Sequence, residues 1–266
     1  MERKSTSIPV LALGKSAILV AQKLKAQMGN LMDLYLVSET TEEALPFIFP
    51  HEQPWRFLIY NCAEVEPHTV KRFGTAAKVG GSVIGIEIAS HEEASRASWQ
   101  SGTDMLIRTD SERTCLKAAA FLLRMAFSHQ NALDIDLTDA LSLFSGTDCA
   151  RIGMAAETGE LAKSHAITNA LWNIGWPLST LRGLLLNIAG SEDRIHSMDM
   201  ERFMNAVMDK MPENGNMVWS VSIDPALGDT IRVTAIATQG WKRNGKDACE
   251  WIGQFAEVGF HDNEEG

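Results

Sequence analysis

The sequence predicts an α/β protein with a parallel sheet in its first half, and three observations support this class. Over residues 8–110, short apolar runs alternate with segments whose apolar residues recur every three to four positions. The second half changes to helices followed by long strands, which is typical of an α+β domain. Between the halves lies a helix that is apolar on nearly every side. Alternating strands and helices build parallel sheets, so we expect a Rossmann-like first domain.

In the first half, the apolar runs predict strands and the 3.6-residue patterns predict helices. The predicted strands cover residues 8–13, 31–37, 55–60, 83–89 and 105–107. The predicted helices cover residues 16–28, 69–78 and 91–99. Ligands of such sheets bind at the carboxyl ends of the strands. We therefore expect any ligand site of this half at that edge.

The helix predicted over residues 112–127 is the central element of the chain. Thr109 and Glu112 have the spacing of a capping box, which predicts the N-terminus of the helix. From its second turn onward only Lys117 and Arg124 interrupt the apolar surface. A helix that is apolar all round is enclosed by protein, so we expect it between two packed units. A core helix of a single domain is the alternative.

The pattern after this helix changes. A helix is predicted over residues 157–171, a strand over 181–188, an amphipathic helix over 198–211, and strands over 217–223 and 230–238.

Composition excludes several classes of function. The chain has 266 residues and a formal net charge of −10, so it has no basic surplus to neutralise the phosphates of a nucleic acid. None of its four cysteines lies at metal-ligand or redox-motif spacing from another, which favours inert thiols in a reducing cytoplasm. No apolar run is long enough to cross a bilayer. We therefore expect a cytoplasmic protein that binds no nucleic acid, inserts in no membrane and holds no metal.

Three segments of the second half carry a family resemblance. They read LRGLLLNIAG at 181–190, VSIDP at 221–225 and IRVTAIAT at 231–238. This series closely resembles the C-terminal domain of FtsZ, the bacterial cell-division protein of the tubulin superfamily. Residues 150–170 are similar to the helix-turn-helix of that family. The resemblance is most specific over residues 132–239 and is only architectural over residues 8–110.

An acidic loop extends the resemblance. Asp134-x-Asp136-x-x-Asp139 is similar to a loop that follows the central helix in the family and is offered to the nucleotide of the next subunit in a filament. There two acidic residues position the water that attacks GTP, and Asp136 and Asp139 hold the matching positions. The resemblance therefore implies catalytic roles that act on a neighbouring subunit. Alternatively these carboxylates cap the next helix, and both roles are compatible.

The nucleotide half departs from the family pattern. The family has a glycine-rich run whose backbone amides enclose phosphate, whereas residues 61–69 here contain no glycine, two glutamates (Glu64 and Glu66) and Pro67, which has no amide to donate. The family places an Asn or Asp on the central helix to recognise guanine, and neither occurs between Asp110 and Asn131. A weak phosphate-loop match remains, and its candidate nucleotide-binding residues are Gly14, Lys15 and Ser16.

The resemblance divides the chain into five predicted parts. They are a degenerate nucleotide-binding-type domain at 1–110, the central helix at 111–130, the acidic loop with the following helix at 131–145, an FtsZ-like domain at 146–245 and a tail at 246–266.

The leading hypothesis is an FtsZ-like cytoskeletal or assembly-regulating protein whose GTPase activity is lost or depends on a partner subunit. No cofactor is expected, and GTP or GDP is the nucleotide if any binds. The expected partner is the chain itself or an FtsZ-like protein. Two alternatives stay open: a divergent, active GTPase that self-polymerises, and a non-enzymatic scaffold or small-ligand sensor.

Overall fold

A computed structural model describes residues 7–37, 55–78, 81–89, 102–127, 142–144, 150–196 and 200–239. The strands are β1 Ile8–Leu13, β2 Met32–Val37, β3 Trp55–Asn61, β4 Ser82–Ile88, β5 Met105–Thr109, β6 Ala150–Thr158, β7 Leu181–Gly190, β8 Asn216–Ile223 and β9 Thr230–Gln239. The α-helices are α1 Lys15–Met28, α2 Pro67–Ala77, α3 Glu112–Phe127, α4 Ala162–Ile174, α5 Glu192–His196 and α6 Met200–Met208.

The nine strands form one sheet in the order β2-β1-β3-β4-β5-β6-β9-β7-β8. Strands β1 to β6 pair in parallel, and β9 runs antiparallel between β6 and β7. The two halves of the sheet are joined where β5 pairs with β6, through Ile107 opposite Ala150 and Arg108 opposite Arg151. The predicted α/β class with a mostly parallel sheet is confirmed.

Successive side chains of each strand point to opposite faces of the sheet, and helices pack on both faces. In β7, Leu185 faces a core shared with α1 and α3, while Leu184 and Leu186 face a core shared with α4 and α6. The α2 helix packs against a third core that includes Leu58 and Leu106. Each fully buried side chain of this size stabilises the fold by about 1.5–3 kcal/mol.

The central helix α3 is enclosed on most sides, as its composition predicts. Its buried residues are Cys115, Ala118, Ala119, Ala120, Leu122, Leu123 and Met125. The exposed positions are Arg113, Lys117 and Arg124, which lie on one side of the helix. The α1 helix packs beside α3 in the same core. The core around α3 also takes Leu185 and Ile236 from the second half of the sheet.

The predicted capping box of α3 is wrong. Thr109 is the last residue of β5, and its hydroxyl donates to the backbone oxygen of Glu87 at 2.8 Å. The cap is instead Ser111, whose Oγ accepts from the amide of Thr114 at 3.2 Å. The strand extends two residues beyond its apolar run because Thr109 completes the pairing with β4.

The helix predicted over residues 157–171 is confirmed from Ala162 onward, but its predicted start and the helix-turn-helix at 150–170 are wrong. Residues 150–158 form the strand β6, and α4 begins only at Ala162. The strand is rich in small residues, which have low β propensity and therefore gave no strand signal. At Gly153 the close approach of α4 requires glycine, because a Cβ there would lie 2.0 Å from the backbone oxygen of Ala170.

Three predicted features lie wholly or mostly outside the described residues. These are the helix at 91–99, the acidic loop with Asp136 and Asp139, and the tail at 246–266. The five-part division of the chain therefore stays a prediction.

Candidate functional site

The predicted phosphate-loop residues lie at the carboxyl edge of the sheet. Gly14 connects β1 to α1 with φ of 86° and ψ of 166°, a conformation that side-chain-bearing residues rarely adopt. Lys15 is the first residue of α1 and is exposed, and Ser16 follows it in the first turn. The free amides of a helix N-terminus are disposed to bind anions.

The loop after β3 brings a carboxylate to this helix terminus. Asn61 organises the loop: its side-chain oxygen accepts from the amide of Ala63 at 2.9 Å, and its backbone oxygen accepts from the amides of Glu64 and Val65. Pro67 then occupies the first turn of α2, where the missing amide costs nothing. The turn places the Glu64 side chain over the start of α1.

Glu64 binds the N-terminus of α1 through both carboxylate oxygens. Its Oε2 accepts from the backbone amide of Ser16 at 3.0 Å, and its Oε1 accepts from the Ser16 hydroxyl at 2.5 Å. A Cβ added at Gly14 would lie 2.8 Å from Glu64 Oε2, so the carboxylate is packed directly on the backbone. An internal anion therefore satisfies the amides that the sequence assigned to phosphate.

The electrostatics of Glu64 agree with this geometry. Partial burial raises the pKa of its carboxyl group. The hydrogen bonds from Ser16 and the Lys15 amide, together with the Lys15 charge, outweigh that effect, and the net pKa is lowered. The carboxylate is thus stabilised in its charged form, as expected of an anion at a helix N-terminus.

A largely buried ion pair between β4 and β5 lies near the same carboxyl edge of the sheet. Arg108 in β5 donates from Nε to Glu87 Oε2 in β4 at 2.8 Å, and the Glu87 side chain is almost fully buried. Tyr60 in β3 lies opposite Glu87. Burial and the Glu87 charge raise the pKa of its phenol well above the ordinary value. Sequence reasoning missed these residues, although Glu87 and Arg108 interrupt apolar runs.

The described residues that flank the predicted acidic loop lie far from Gly14. The preceding helix α3 has 16 residues, so Phe127 lies about 24 Å along the axis from the start of that helix. On the other side of the loop, the backbone oxygen of Leu143 lies 2.9 Å from where a Cβ of Gly183 would stand. Gly183 is in β7, six strands from β1 in the sheet, which is roughly 29 Å at about 4.8 Å per strand.

Comparison with known proteins gives matches to one family. Residues 146–240 match the family model described as FtsZ family, C-terminal domain. The cell division protein FtsZ of Methanothermobacter thermautotrophicus is 31% identical over 108 residues, which cover 39% of this chain and 28% of that protein. The FtsZ of Caulobacter vibrioides is 26% identical over 110 residues, which cover 40% of this chain and 21% of that protein. The matches thus span less than a third of these relatives.

Solved structures resemble a much larger part of the chain. An FtsZ mutant of M. jannaschii matches with a TM-score of 0.68 and 14% identity, covering 87% of this chain and 90% of that one. CetZ1 from Haloferax volcanii, described as a GDP-bound monomer, matches with a TM-score of 0.62 and 10% identity, covering 89% of this chain and 95% of that one. At these identities the likeness concerns the fold.

The nine-stranded sheet and the central helix define a protein of the FtsZ/tubulin fold class. Residues 146–240 in addition match the FtsZ C-terminal domain, so the second half of the chain is FtsZ-like in sequence as well as in fold. Within the residues that the structure describes, no helix has the length and apolar character needed to cross a membrane.

Proposed function

We propose that the chain is an FtsZ/tubulin-like assembly protein with a degenerate GTP site, which docks its acidic loop on a neighbouring subunit or partner filament. The observation that carries the proposal is the Glu64 carboxylate on the amides of α1. In this role the protein needs the fold and the acidic loop, but it does not need tight binding of its own nucleotide.

The residues at the start of α1 do not fit a triphosphate. A carboxylate about 4 Å from a phosphate oxygen costs on the order of 1–4 kcal/mol for each pair of charges, depending on exposure to solvent. The amide and the hydroxyl of Ser16 are already bound to Glu64. A nucleotide phosphate would have to displace Glu64 or be repelled by it.

The positions of the residues that flank the acidic loop support action on another molecule. The described residues on either side of the loop lie far from Gly14, at the end of α3 and beside β7. We propose that Asp136 and Asp139 orient the attacking water on the nucleotide of the neighbouring subunit, since a carboxylate can orient and polarise a water. The chain would then regulate or join a filament whose other subunits carry GTP.

Co-sedimentation with an FtsZ that hydrolyses GTP tests this function. We expect the chain to pellet with the polymer and to change its GTPase rate, and we expect Asp136→Ala to remove the rate change. Glu201→Ala is the control, because Glu201 is an exposed acid on α6. No co-pelleting and no change in the GTPase rate would refute the proposal.

An active, self-polymerising GTPase is the second candidate. The fold likeness to a GDP-bound CetZ1 favours it, and the exposed Lys15 would supply the positive charge that a glycine-rich loop lacks. In that case the purified chain alone would hydrolyse GTP and polymerise, and Glu64 would have to leave the α1 terminus when GTP binds.

A further inference from the structure

Helices α1 and α3 carry a surplus of positive charge on an acidic protein. Together they contain six basic residues and one acidic residue, whereas the whole chain has a net charge of −10. Both helices pack in one core on the same face of the sheet. Their exposed cations are Lys15, Lys23, Arg113, Lys117 and Arg124. We call the outer surface of the two helices the α1–α3 face.

The cations of this face are not neutralised by their neighbours. Arg113 and Lys117 are four residues apart on α3, so two like charges lie next to each other on the helix. Within the described part of the chain, these two residues, Lys23 and Arg124 form no ion pair. Leu19 lies four residues before Lys23 on α1 and is 43% exposed. The face therefore combines uncompensated positive charge with an apolar contact.

Beyond β9 the charges of the sequence are segregated. Residues 240–246 include three basic residues and no acidic residue. Residues 247–266 include six acidic residues and neither lysine nor arginine, together with large apolar residues such as Trp251 and Phe255. These residues lie outside the described part of the structure. We call them the 247–266 segment, and its composition of acidic and apolar residues is complementary to the α1–α3 face.

The strand β9 ends at the same edge of the sheet as the helices α1 and α3. It runs antiparallel to β6, and Thr238 lies opposite Ala150, the first residue of β6. Because α1 and α3 begin at the carboxyl edge of the parallel strands, both helices end at the opposite edge, where β9 also ends. Gln239 Nε2 donates to Thr180 Oγ1 at 2.9 Å at this point. Ile236, three residues earlier, belongs to the core shared with α1 and α3.

The connection is long enough to bring the segment onto the helices. The seven residues 240–246 span at most about 25 Å when extended. The 16-residue helix α3 is about 24 Å long. The 247–266 segment can therefore reach the cations along the whole length of the face. We propose that the α1–α3 face docks the 247–266 segment of the same chain.

The tether and the charge balance favour this occupant. The segment carries −6 of the net charge of −10, so residues 1–246 carry −4. The general repulsion is thus smaller than between two whole copies of −10 each, or between the whole chain and an anionic membrane. Exposed ion pairs are individually weak, but a segment on a short tether has an effective concentration on the order of millimolar. While it is docked, the segment closes the face to other acidic ligands.

This contact goes beyond the proposed function and is independent of it. It uses neither Asp136 nor Asp139, and it requires no filament. Carbodiimide cross-linking of the full chain on its own, which joins lysine amines to carboxylates in contact with them, therefore tests the contact separately. A mixture of isotope-labelled and unlabelled chain distinguishes cross-links within one chain from those between two chains.

We expect Lys23 and Lys117 to cross-link to carboxylates of the 247–266 segment within one chain. Because salt screens exposed charges, the yield should fall by about fivefold or more between about 50 mM and about 500 mM salt. Lys78 and Asp104, whose Nζ and Oδ1 atoms are 2.9 Å apart, are the positive control. Lys210 is the negative control, since it is exposed beyond the end of α6, which packs on the other face of the sheet.

A charge-reversal variant tests the role of the cations. Arg113→Glu together with Arg124→Glu removes no amine, and it should lower the yield from Lys117 to the segment by about fivefold or more. Arg182→Glu is the matched control, because Arg182 is an exposed cation next to Leu181, which pairs with Gln239 at the end of β9. It should leave the yield unchanged. The cross-link between Lys78 and Asp104 reports in each variant that the fold is intact.

Three results would overturn the proposal. The first is a chain in which neither Lys23 nor Lys117 cross-links to the segment although Lys78 and Asp104 do; binding of that chain to anionic phospholipid vesicles would then assign the face to a membrane. The second is cross-linking only between labelled and unlabelled chains, which would assign the face to a second copy. The third is an equal yield from Lys210, which would mean that the segment prefers no face.

Discussion

Glu64 supplies from within the chain the negative charge that the N-terminus of α1 attracts. Its two oxygens reach the amide and the hydroxyl of Ser16, and the lowered pKa keeps the group ionised at neutral pH. A glycine-rich loop would offer only backbone at this position. In this chain a side chain supplies the anion that contacts the helix terminus.

Replacement of Glu64 by glutamine tests the charge at this terminus. The lowered pKa means that the charge stabilises the fold above the ordinary glutamate pKa of about 4.3, and that this stabilisation is lost as pH falls through the folded value. We expect Glu64→Gln to cost about 0.3–1 kcal/mol at pH 7, the range for an exposed charge at a helix end, and progressively less as pH falls below the ordinary glutamate pKa.

Urea unfolding at pH 7 and over this lower pH range measures this difference. Glu66→Gln is the matched control, because Glu66 is exposed, lies two residues away and makes no side-chain cap of α2. Equal losses for the two variants at pH 7 would contradict the assigned role of Glu64.

Gly14→Ala tests the close approach of Glu64 to the backbone. The alanine would have a strained φ of 86° and a Cβ only 2.8 Å from Glu64 Oε2. We expect a loss of about 1–3 kcal/mol. Gly29→Ala should cost less, because its Cβ would meet nothing within 4 Å, and Glu64→Ala should relieve part of the Gly14→Ala loss. Calorimetric unfolding measures these three variants and the Gly14→Ala, Glu64→Ala double variant. Equal losses of stability for Gly14→Ala and Gly29→Ala would contradict the account.

The sequence placed Gly14, Lys15 and Ser16 at the strand–helix junction, because a strand, a glycine and a helix pattern follow one another there. It also identified the glutamates of the loop after β3 as unfavourable to phosphate. It could not show that Glu64 contacts Ser16, since the two residues are 48 positions apart and only the folded sheet brings β1 beside β3.

At the scale of elements, Ser111 is the N-cap of the central helix α3. Ser111→Ala removes the acceptor of the Thr114 amide, and loss of such an N-cap typically costs about 1 kcal/mol. Ser179→Ala, at an exposed position, should change the free energy of unfolding by less than about 0.5 kcal/mol. Urea denaturation measures both, and a silent Ser111→Ala would mean that another residue caps α3.

The junction of β4 and β5 depends on a buried ion pair. Arg108→Met leaves the Glu87 carboxylate buried without its arginine, which typically costs about 3–5 kcal/mol. Adding Glu87→Gln should recover much of that loss. Arg232→Met is the control, because its pair with Asp224 is more than a third exposed and should be worth less than about 1 kcal/mol. Thermal unfolding measures the loss of stability of each variant. Equal losses for Arg108→Met and Arg232→Met would contradict this account.

Elements were predictable where hydrophobic periodicity was strong. The strands β1, β3, β7 and β9 were placed within one or two residues because their apolar runs are long. The strand β6 was missed because its alanines and Gly153 carry no strand signal, and only at Gly153 does the close packing of α4 require a small residue. The bounds of α3 were predicted correctly, but its cap was assigned to the wrong residue because Thr109 and Ser111 both suit a cap, and the pairing of Thr109 with β4 decided between them.

At the scale of the whole molecule, the two halves differ in how they resemble FtsZ. The second half matches the FtsZ C-terminal domain in sequence, whereas the first half resembles the solved FtsZ structures in fold. The sequence predicted this contrast because fold depends on distributed apolar positions, while phosphate binding depends on a few backbone amides. Partner choice could not be predicted, since it depends on surfaces and not on the core.

Calorimetric titration of the purified chain with GTP and Mg²⁺ tests the central claim most directly. With Glu64 on the amides of α1, we expect no binding tighter than about 1 µM, which corresponds to roughly −8 kcal/mol. We also expect no guanine nucleotide to co-purify with the chain. Binding of GTP at or below that dissociation constant, with one nucleotide per chain, would contradict the account.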